Sequence, residues 1–199
     1  MMELAPGAAL LQGFAGDELW PEVQAVAAAA PFRHMVTPGG FRMSVAMTNC
    51  GPLGWVTDRT GYRYSPVDLE TGLAWPAMPE AFRELARQAA EAGGFAGFAP
   101  DACLINRYEA GAKMSLHQDK DELDFAQPIV SVSLGLPAVF LFGGLARADK
   151  PMRVPLHHGD VVVWGGAARL RFHGILPLKA GEHPVTEACR INLTFRAAA

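Results

Sequence analysis

Beyond Gly93-Gly94 the chain never returns to helical periodicity. Short runs rich in β-branched and aromatic residues follow one another, separated by turns such as Gly143-Gly144, His158-Gly159-Asp160 and Gly165-Gly166. Eight strands are predicted, near residues 101–108, 114–119, 128–136, 138–142, 153–157, 160–164, 169–175 and 188–196. A succession of short strands buries its apolar faces by closing on itself or by stacking two sheets, so a helical bundle is excluded. The 21 glycines and 15 prolines supply the turns such a fold needs. The predicted fold class is mainly β with flanking helices, a barrel or jelly roll with helices packed on one face.

The helices lie earlier in the chain. Asp17 is placed to cap a helix that enters through Pro21 and runs to about Ala30, with Leu19, Val23, Val26 and Ala30 at helical spacing and Pro31 as its stop. Pro79 opens a second helix to about Ala92, whose apolar face is Phe82, Leu85, Ala86 and Ala89. Residues 1–16 are small and apolar and read as an arm or one short strand. Between the helices, Thr37-Pro38-Gly39-Gly40 signals a turn, and residues 41–47 alternate as a strand does. Gly51, Pro52, Gly54, Gly61 and Pro66 then punctuate a stretch carrying Trp55, Tyr62, Tyr64 and Trp75. A glycine-rich aromatic segment suits a lid over a site. The expected division, within one structural domain, is residues 1–34 as arm and helix, 35–76 as lid, and 77–199 as helix plus β core.

A net charge of −3 excludes a blanket nucleic-acid coat but not a local basic groove. Cys50, Cys103 and Cys189 are widely spaced and odd in number, which predicts buried, reduced thiols in place of a disulfide framework. The first basic residue is Arg33, which argues against the positive region of a signal peptide, and no apolar run approaches the roughly 18 residues of a membrane span. The expectation is a cytoplasmic monomer.

Two patterns carry chemistry. In residues 190–196, Ile191, Leu193 and Phe195 face one way while Arg190, Asn192, Thr194 and Arg196 face the other. A solvent-facing polar edge satisfies this alternation as well as an inward wall does. If the face is inward, the two guanidiniums need anions, and side chains whose Cα atoms lie roughly 20 Å apart can clamp a short diacid end to end. The second pattern is His117-Gln118-Asp119. On a strand or turn, positions i and i+2 project to the same side, so one nitrogen and one oxygen can share an ion. His173, alternating with Leu170 and Phe172, is the best third ligand, and Gly174 leaves room beside its ring. His157 and His158 read as exposed, and His34 and His183 have no partner pattern. Two histidines and one carboxylate with open positions form the facial triad of non-haem Fe(II) oxygenases.

With those residues in place, the sequence resembles the AlkB family of Fe(II)/2-oxoglutarate-dependent dioxygenases from about Pro31 to Arg196. The resemblance is carried by residues 35–40, 44–51, 101–108, 116–122, 130–137, 158–166 and 189–196, including Asn106-Arg107-Tyr108, Leu116-His117-Gln118-Asp119-Lys120-Asp121-Glu122 and Arg190-Ile191-Asn192-Leu193-Thr194-Phe195-Arg196. It implies a double-stranded β-helix, or jelly roll, with an N-terminal nucleotide-recognition lid. It implies that His117, Asp119 and His173 bind iron, and that Asn106, Tyr108, Arg190, Asn192 and Arg196 bind 2-oxoglutarate, with O2 as second cosubstrate. Trp55 and His117 resemble the pair that sandwiches a damaged base, with Tyr62, Lys120, Asp121 and Arg147 around the substrate, and residues 37–41 resemble a hairpin that contacts the nucleotide backbone. The implied activity is repair of alkylated DNA, mainly single-stranded, by oxidative demethylation of bases such as 1-methyladenine and 3-methylcytosine, with release of formaldehyde, succinate and CO2. The alternatives are an RNA demethylase of the same chemistry and a jelly roll that binds nucleic acid without catalysis. Asp58 in the lid, and Phe41 at the end of the 37–41 turn, depart from the family pattern.

Overall fold

The computed structural model describes residues 1–199. In chain order the elements are β1 (Met2–Ala5), β2 (Ala8–Leu11), α1 (Leu19–Ala29), β3 (Ala46–Cys50), β4 (Gly54–Asp58), β5 (Gly61–Ser65), α2 (Glu80–Ala92), β6 (Ala102–Tyr108), β7 (Met114–His117), β8 (Ile129–Gly135), β9 (Ala138–Phe142), β10 (Met152–Leu156), β11 (Val161–Trp164), β12 (His173–Ile175) and β13 (Arg190–Arg196). They build an antiparallel sheet in the order β1-β2-β11-β8-β13-β6-β3, a smaller one in the order β10-β9-β12-β7, and the separate hairpin β4-β5. No helix is long and apolar enough to cross a membrane.

Alternation explains the layers. In β13, Ile191, Leu193 and Phe195 join Val130, Val132, Val161 and Val163 of the neighbouring strands, and this face packs on Leu19, Val23 and Val26 of α1 and Phe82, Leu85 and Ala89 of α2. Phe82 meets Phe195 edge to face at 5.9 Å. The opposite face looks toward the smaller sheet, where Trp164, Ile129, Phe140, Phe142 and Leu156 form the second core. The large sheet is therefore covered on both sides, and every residue of β8 and β13 is buried. This settles the ambiguity of the polar face of β13: it points inward.

Helix α1 ends at Ala30, held extended (φ −133, ψ 93) because Pro31 disfavours a helical residue before it. Asp17 does not cap this helix. Its carboxylate lies 2.8 Å from His158 Nε2, and the His158 ring stacks on His183 at 4.6 Å. His158 is thus partly covered, not exposed as predicted, because two segments distant in sequence converge on it. All three cysteines are free and buried.

Three elements depart from expectation. The predicted arm is a hairpin whose second strand pairs with β11, Val161 opposite Leu11, and so extends the main sheet. The strand expected over 41–47 begins at Ala46. Residues 37–41 close a tight turn through Thr37 N–H to Phe41 O and Gly40 N–H to Thr37 O, and pairing of Thr48 with Ile105 of β6 decides where the strand runs. Residues 46–50 therefore form an edge strand of the large sheet. Strand β12 keeps only the last part of 169–175, because a 3-10 turn at Gly166–Ala168 leads into Arg169, whose buried guanidinium takes main-chain carbonyls of a neighbouring loop.

Phe195→Ala removes the ring that joins β13 to α2 and leaves a cavity in a closed layer. It should lower unfolding free energy by about 3–5 kcal/mol in denaturant titration.

Candidate active site

The two sheets diverge around a cavity. Its large-sheet wall is polar: Asn106 and Tyr108 from β6, Ser131 from β8, and Arg190, Asn192, Thr194 and Arg196 from β13. Its opposite wall carries His117, Phe140 and His173, with Trp55 at the hairpin side. The parity of β13 thus places four polar side chains in one interior.

β7 and β12 pair with His117 directly opposite His173. Gly174 makes this approach possible. A Cβ there would stand 2.6 Å from the Met114 carbonyl oxygen, so the missing side chain makes room for the backbone of β7. Asp119 follows just beyond the strand. Its Oδ1 lies 3.6 Å from His117 Nε2 and its Oδ2 lies 3.7 Å from His173 Nε2. All three donor atoms fall within 4.8 Å of one another. These separations are too long for direct hydrogen bonds and suit atoms that share a metal ion. Ring orientation supports the same conclusion. His117 Nδ1 sits 2.9 Å from the Ser115 carbonyl and His173 Nδ1 sits 3.0 Å from that of Arg171. Each carbonyl fixes the proton on Nδ1 and leaves the Nε2 lone pair toward Asp119. Burial, and then the neighbouring His117, depress the His173 pKa to about 4, so it is neutral and available as a ligand at neutral pH.

Burial alone would raise the Asp119 pKa. Arg196, followed by the two histidines, outweighs it and holds the carboxyl well below the usual range. Arg196 donates from Nε and Nη2 to Asp119 Oδ2 at 3.1 and 2.7 Å. It is therefore engaged inside the site by a carboxylate of the protein itself, while still lining the same cavity as Arg190.

Arg190 differs. It is 1% exposed, lies over the Tyr108 ring at 4.9 Å, and donates from Nη2 to Ser133 Oγ at 3.0 Å. Its Nε and Nη1 have no partner, and neither has Asn106 Oδ1. Buried donors on a cation are rarely left empty. These free donors of a buried cation call for an anion such as a carboxylate group. Beside it, Asn106 Nδ2 donates to Asn192 Oδ1, and Asn192 Nδ2 donates to Ser131 Oγ and the Val132 carbonyl.

On the hairpin side, Trp55 stacks on Tyr62 at 5.6 Å and 18° and donates from Nε1 to Asp121 Oδ2 at 2.8 Å. Asn49 grips its main chain twice, with Trp55 N–H donating to Oδ1 and Nδ2 donating to the Trp55 carbonyl, both at 3.0 Å. Lys120 is exposed, and Arg147 is exposed with its guanidinium over Phe172 at 5.1 Å. Asp58 is bound to Arg63 and Thr60 within the β4-β5 turn, which neutralises its charge locally. Phe41 is exposed at the tip of its turn. Three residues escaped the sequence reading: Asn49, Glu122 and Arg169. Glu122 and Arg169 are both buried and joined by a 2.9 Å ion pair. A buried amide inside a strand is a signal for Asn49, but nothing local marks the other two.

Two imidazoles and a carboxylate on one side of a metal leave the other side open to a chelating cosubstrate and dioxygen. Together with the anion socket at Arg190 and the jelly roll that carries both, this defines a class: non-haem iron(II) oxygenases driven by 2-oxoglutarate. Comparison with known proteins agrees. Residues 7–196 match the model of the 2OG-Fe(II) oxygenase superfamily, and the chain belongs to that superfamily. The alpha-ketoglutarate-dependent dioxygenase AlkB of Escherichia coli (strain K12) is 62% identical over 198 residues, covering 98% of this chain and 92% of that protein. The nucleic acid dioxygenase ALKBH1 of Mus musculus is 36% identical over 134 residues, covering 65% of this chain and 34% of that protein. The solved structure of OsALKBH1 superposes with a TM-score of 0.85 at 30% identity, covering 98% of each chain. The protein is a 2-oxoglutarate-dependent dioxygenase, with iron(II) and 2-oxoglutarate as its cofactor and cosubstrate.

Gly174→Ala forces β12 away from the Met114 carbonyl and separates the two imidazoles. Cobalt(II) affinity, read from visible absorption, should fall by at least about tenfold, the equivalent of one lost hydrogen-bond-sized interaction.

Proposed function

We propose that this dioxygenase demethylates N-methylated bases in DNA, with single strands preferred. The observation that carries the reading is Trp55: a flat indole, gripped at its main chain by Asn49 and at its ring nitrogen by Asp121, lining the same cavity as His117, Asp119 and His173. Such a platform stacks a base and gains further from a cationic methylated ring. The nucleic acid dioxygenase named among its relatives supports the substrate class.

In this reading His117, Asp119 and His173 hold the iron from one side. Bound iron(II), with 2-oxoglutarate and O2, supplies an oxidant that hydroxylates a methyl C–H bond while CO2 and succinate form. Arg190 receives the far carboxylate of the cosubstrate through its free guanidinium donors, with Tyr108 beneath it and Asn106 and Asn192 alongside. Arg196 keeps Asp119 ionised, so the ligand set carries one negative charge at any physiological pH. The hydroxymethyl group on nitrogen then leaves as formaldehyde, restoring the base. Trp55, backed by Tyr62, stacks the base; Asp121 faces its amino or cationic edge; Lys120 and Arg147 meet phosphates. The parts of residues 35–76 that serve as the lid are the 37–41 turn and the β4-β5 hairpin, while β3 remains core. A base must leave its stack to enter, a step that is cheaper by a few kcal/mol in single strands, hence the preference. The protein works as a cytoplasmic monomer.

The test is formaldehyde and succinate release with Fe(II), 2-oxoglutarate and ascorbate, on a 1-methyladenine single-stranded DNA oligomer and its unmethylated twin. Methyl-dependent formaldehyde that disappears in His117→Ala is the expected result. Succinate without formaldehyde overturns the substrate assignment while leaving the oxygenase intact. Formaldehyde from a 1-methyladenine RNA oligomer run in parallel, and none from the DNA, replaces DNA with RNA. Separately, Arg190→Gln removes the charge that the cosubstrate carboxylate meets, and the KM for 2-oxoglutarate should rise by about 10- to 100-fold, the range of a lost charged hydrogen bond.

A further inference from the structure

Tyr64 lies on β5, in the hairpin that belongs to neither main sheet, yet its hydroxyl reaches Glu122 Oε1 at 2.5 Å. Burial raises the Tyr64 pKa, so the hydroxyl keeps its proton and is the donor. The Glu122 side chain is 1% exposed. Its Oε2 accepts from Arg169 Nη2 at 2.9 Å, and its Oε1 lies 3.4 Å from Arg196 Nε. That same Nε donates to Asp119 Oδ2 at 3.1 Å. Arg169 completes a ring of contacts by donating from Nη1 to the main-chain oxygen of Asp119 at 2.7 Å. As a stability device this arrangement is poor, since desolvating two cations and two anions offsets most of their attraction.

We propose that Glu122 is a positioning residue that couples seating of the β4-β5 hairpin to orientation of the Asp119 carboxylate. The coupling works through competition. Glu122 and Asp119 both face Arg196 Nε, at distances that differ by little. While the Tyr64 hydroxyl satisfies Glu122 Oε1, Arg196 is left to Asp119. When the hairpin lifts, Oε1 loses its donor and draws the guanidinium away from the carboxylate. Linkage makes this reciprocal: whatever hairpin seating contributes to metal binding, metal binding contributes to hairpin seating. The inference depends on Asp119 being a metal ligand, as in the reading above, but not on the identity of the substrate.

The probe is cobalt(II) with 2-oxoglutarate, titrated by visible absorption, alongside hydrogen–deuterium exchange of residues 54–65. In the wild-type protein, loading should slow exchange in β4 and β5. In Tyr64→Phe, which keeps the ring, cobalt affinity should fall by about three- to tenfold, the scale of one hydrogen bond to a charged acceptor, and the slowing should shrink by a matching factor. In a Glu122→Gln background, Tyr64→Phe should have no further effect on cobalt. If Tyr64→Phe leaves cobalt affinity unchanged, or speeds hairpin exchange equally with and without cobalt, the hydroxyl is structural and the coupling is overturned. Additive effects in the double variant overturn the role of Glu122. Cobalt affinity indifferent to His117→Ala would instead remove the ligand assignment itself, and the coupling with it, so the two failures are distinguishable.

Discussion

The pairing of Arg196 with Asp119 is the interaction on which the site depends. A carboxylate buried at this depth would ordinarily be protonated, and a neutral acid is a poor metal ligand. Arg196 prevents that by donating twice to Oδ2. It reaches Asp119 because it is the last residue of β13 and points inward, and it points inward because Ile191, Leu193 and Phe195 must meet the helices. The apolar face of one strand therefore sets the ionisation of a carboxylate on a different segment, 77 residues away.

Legibility followed the range of the cause. The inward face of β13 was readable because a strand has a side-chain period of two and its two faces differ completely in chemistry. His117 and Asp119 were readable because a spacing of two on an extended chain already brings donors together, and His173 because it alternates with apolar neighbours, even though Leu170 and Phe172 prove half-buried in a loop. Residues 119–124 carry four acids in six positions, the composition of a solvated loop. Glu122 is buried there by Tyr64, 58 residues before it, and Arg169, 47 after it. No local pattern carries that information. The same holds for β2, an unremarkable apolar tetrapeptide until β11 provides its partner, and for β3, whose position is decided by β6 and not by its own alternation.

The two arginines show why identical residues on one face of one strand need not do identical work. Arg196 finds a carboxylate within the protein. Arg190, six positions earlier, finds a hydroxyl and the face of Tyr108, neither of which carries a charge. Among the buried ions in and beside the cavity, Asp119 and Glu122 are matched by Arg196 and Arg169, so Arg190 is the cation in excess. The cavity thus presents an unmatched positive fork at one end and two imidazole lone pairs with a carboxylate at the other. A doubly charged cation binding alone would add to the excess at Arg190, and a dianion binding alone would crowd Asp119. A divalent metal and a dicarboxylate arriving together leave the net charge of the cavity where it began. In a low-dielectric interior, where each uncompensated charge is costly, that balance favours joint occupancy, with the metal held beside the cosubstrate that is consumed together with dioxygen.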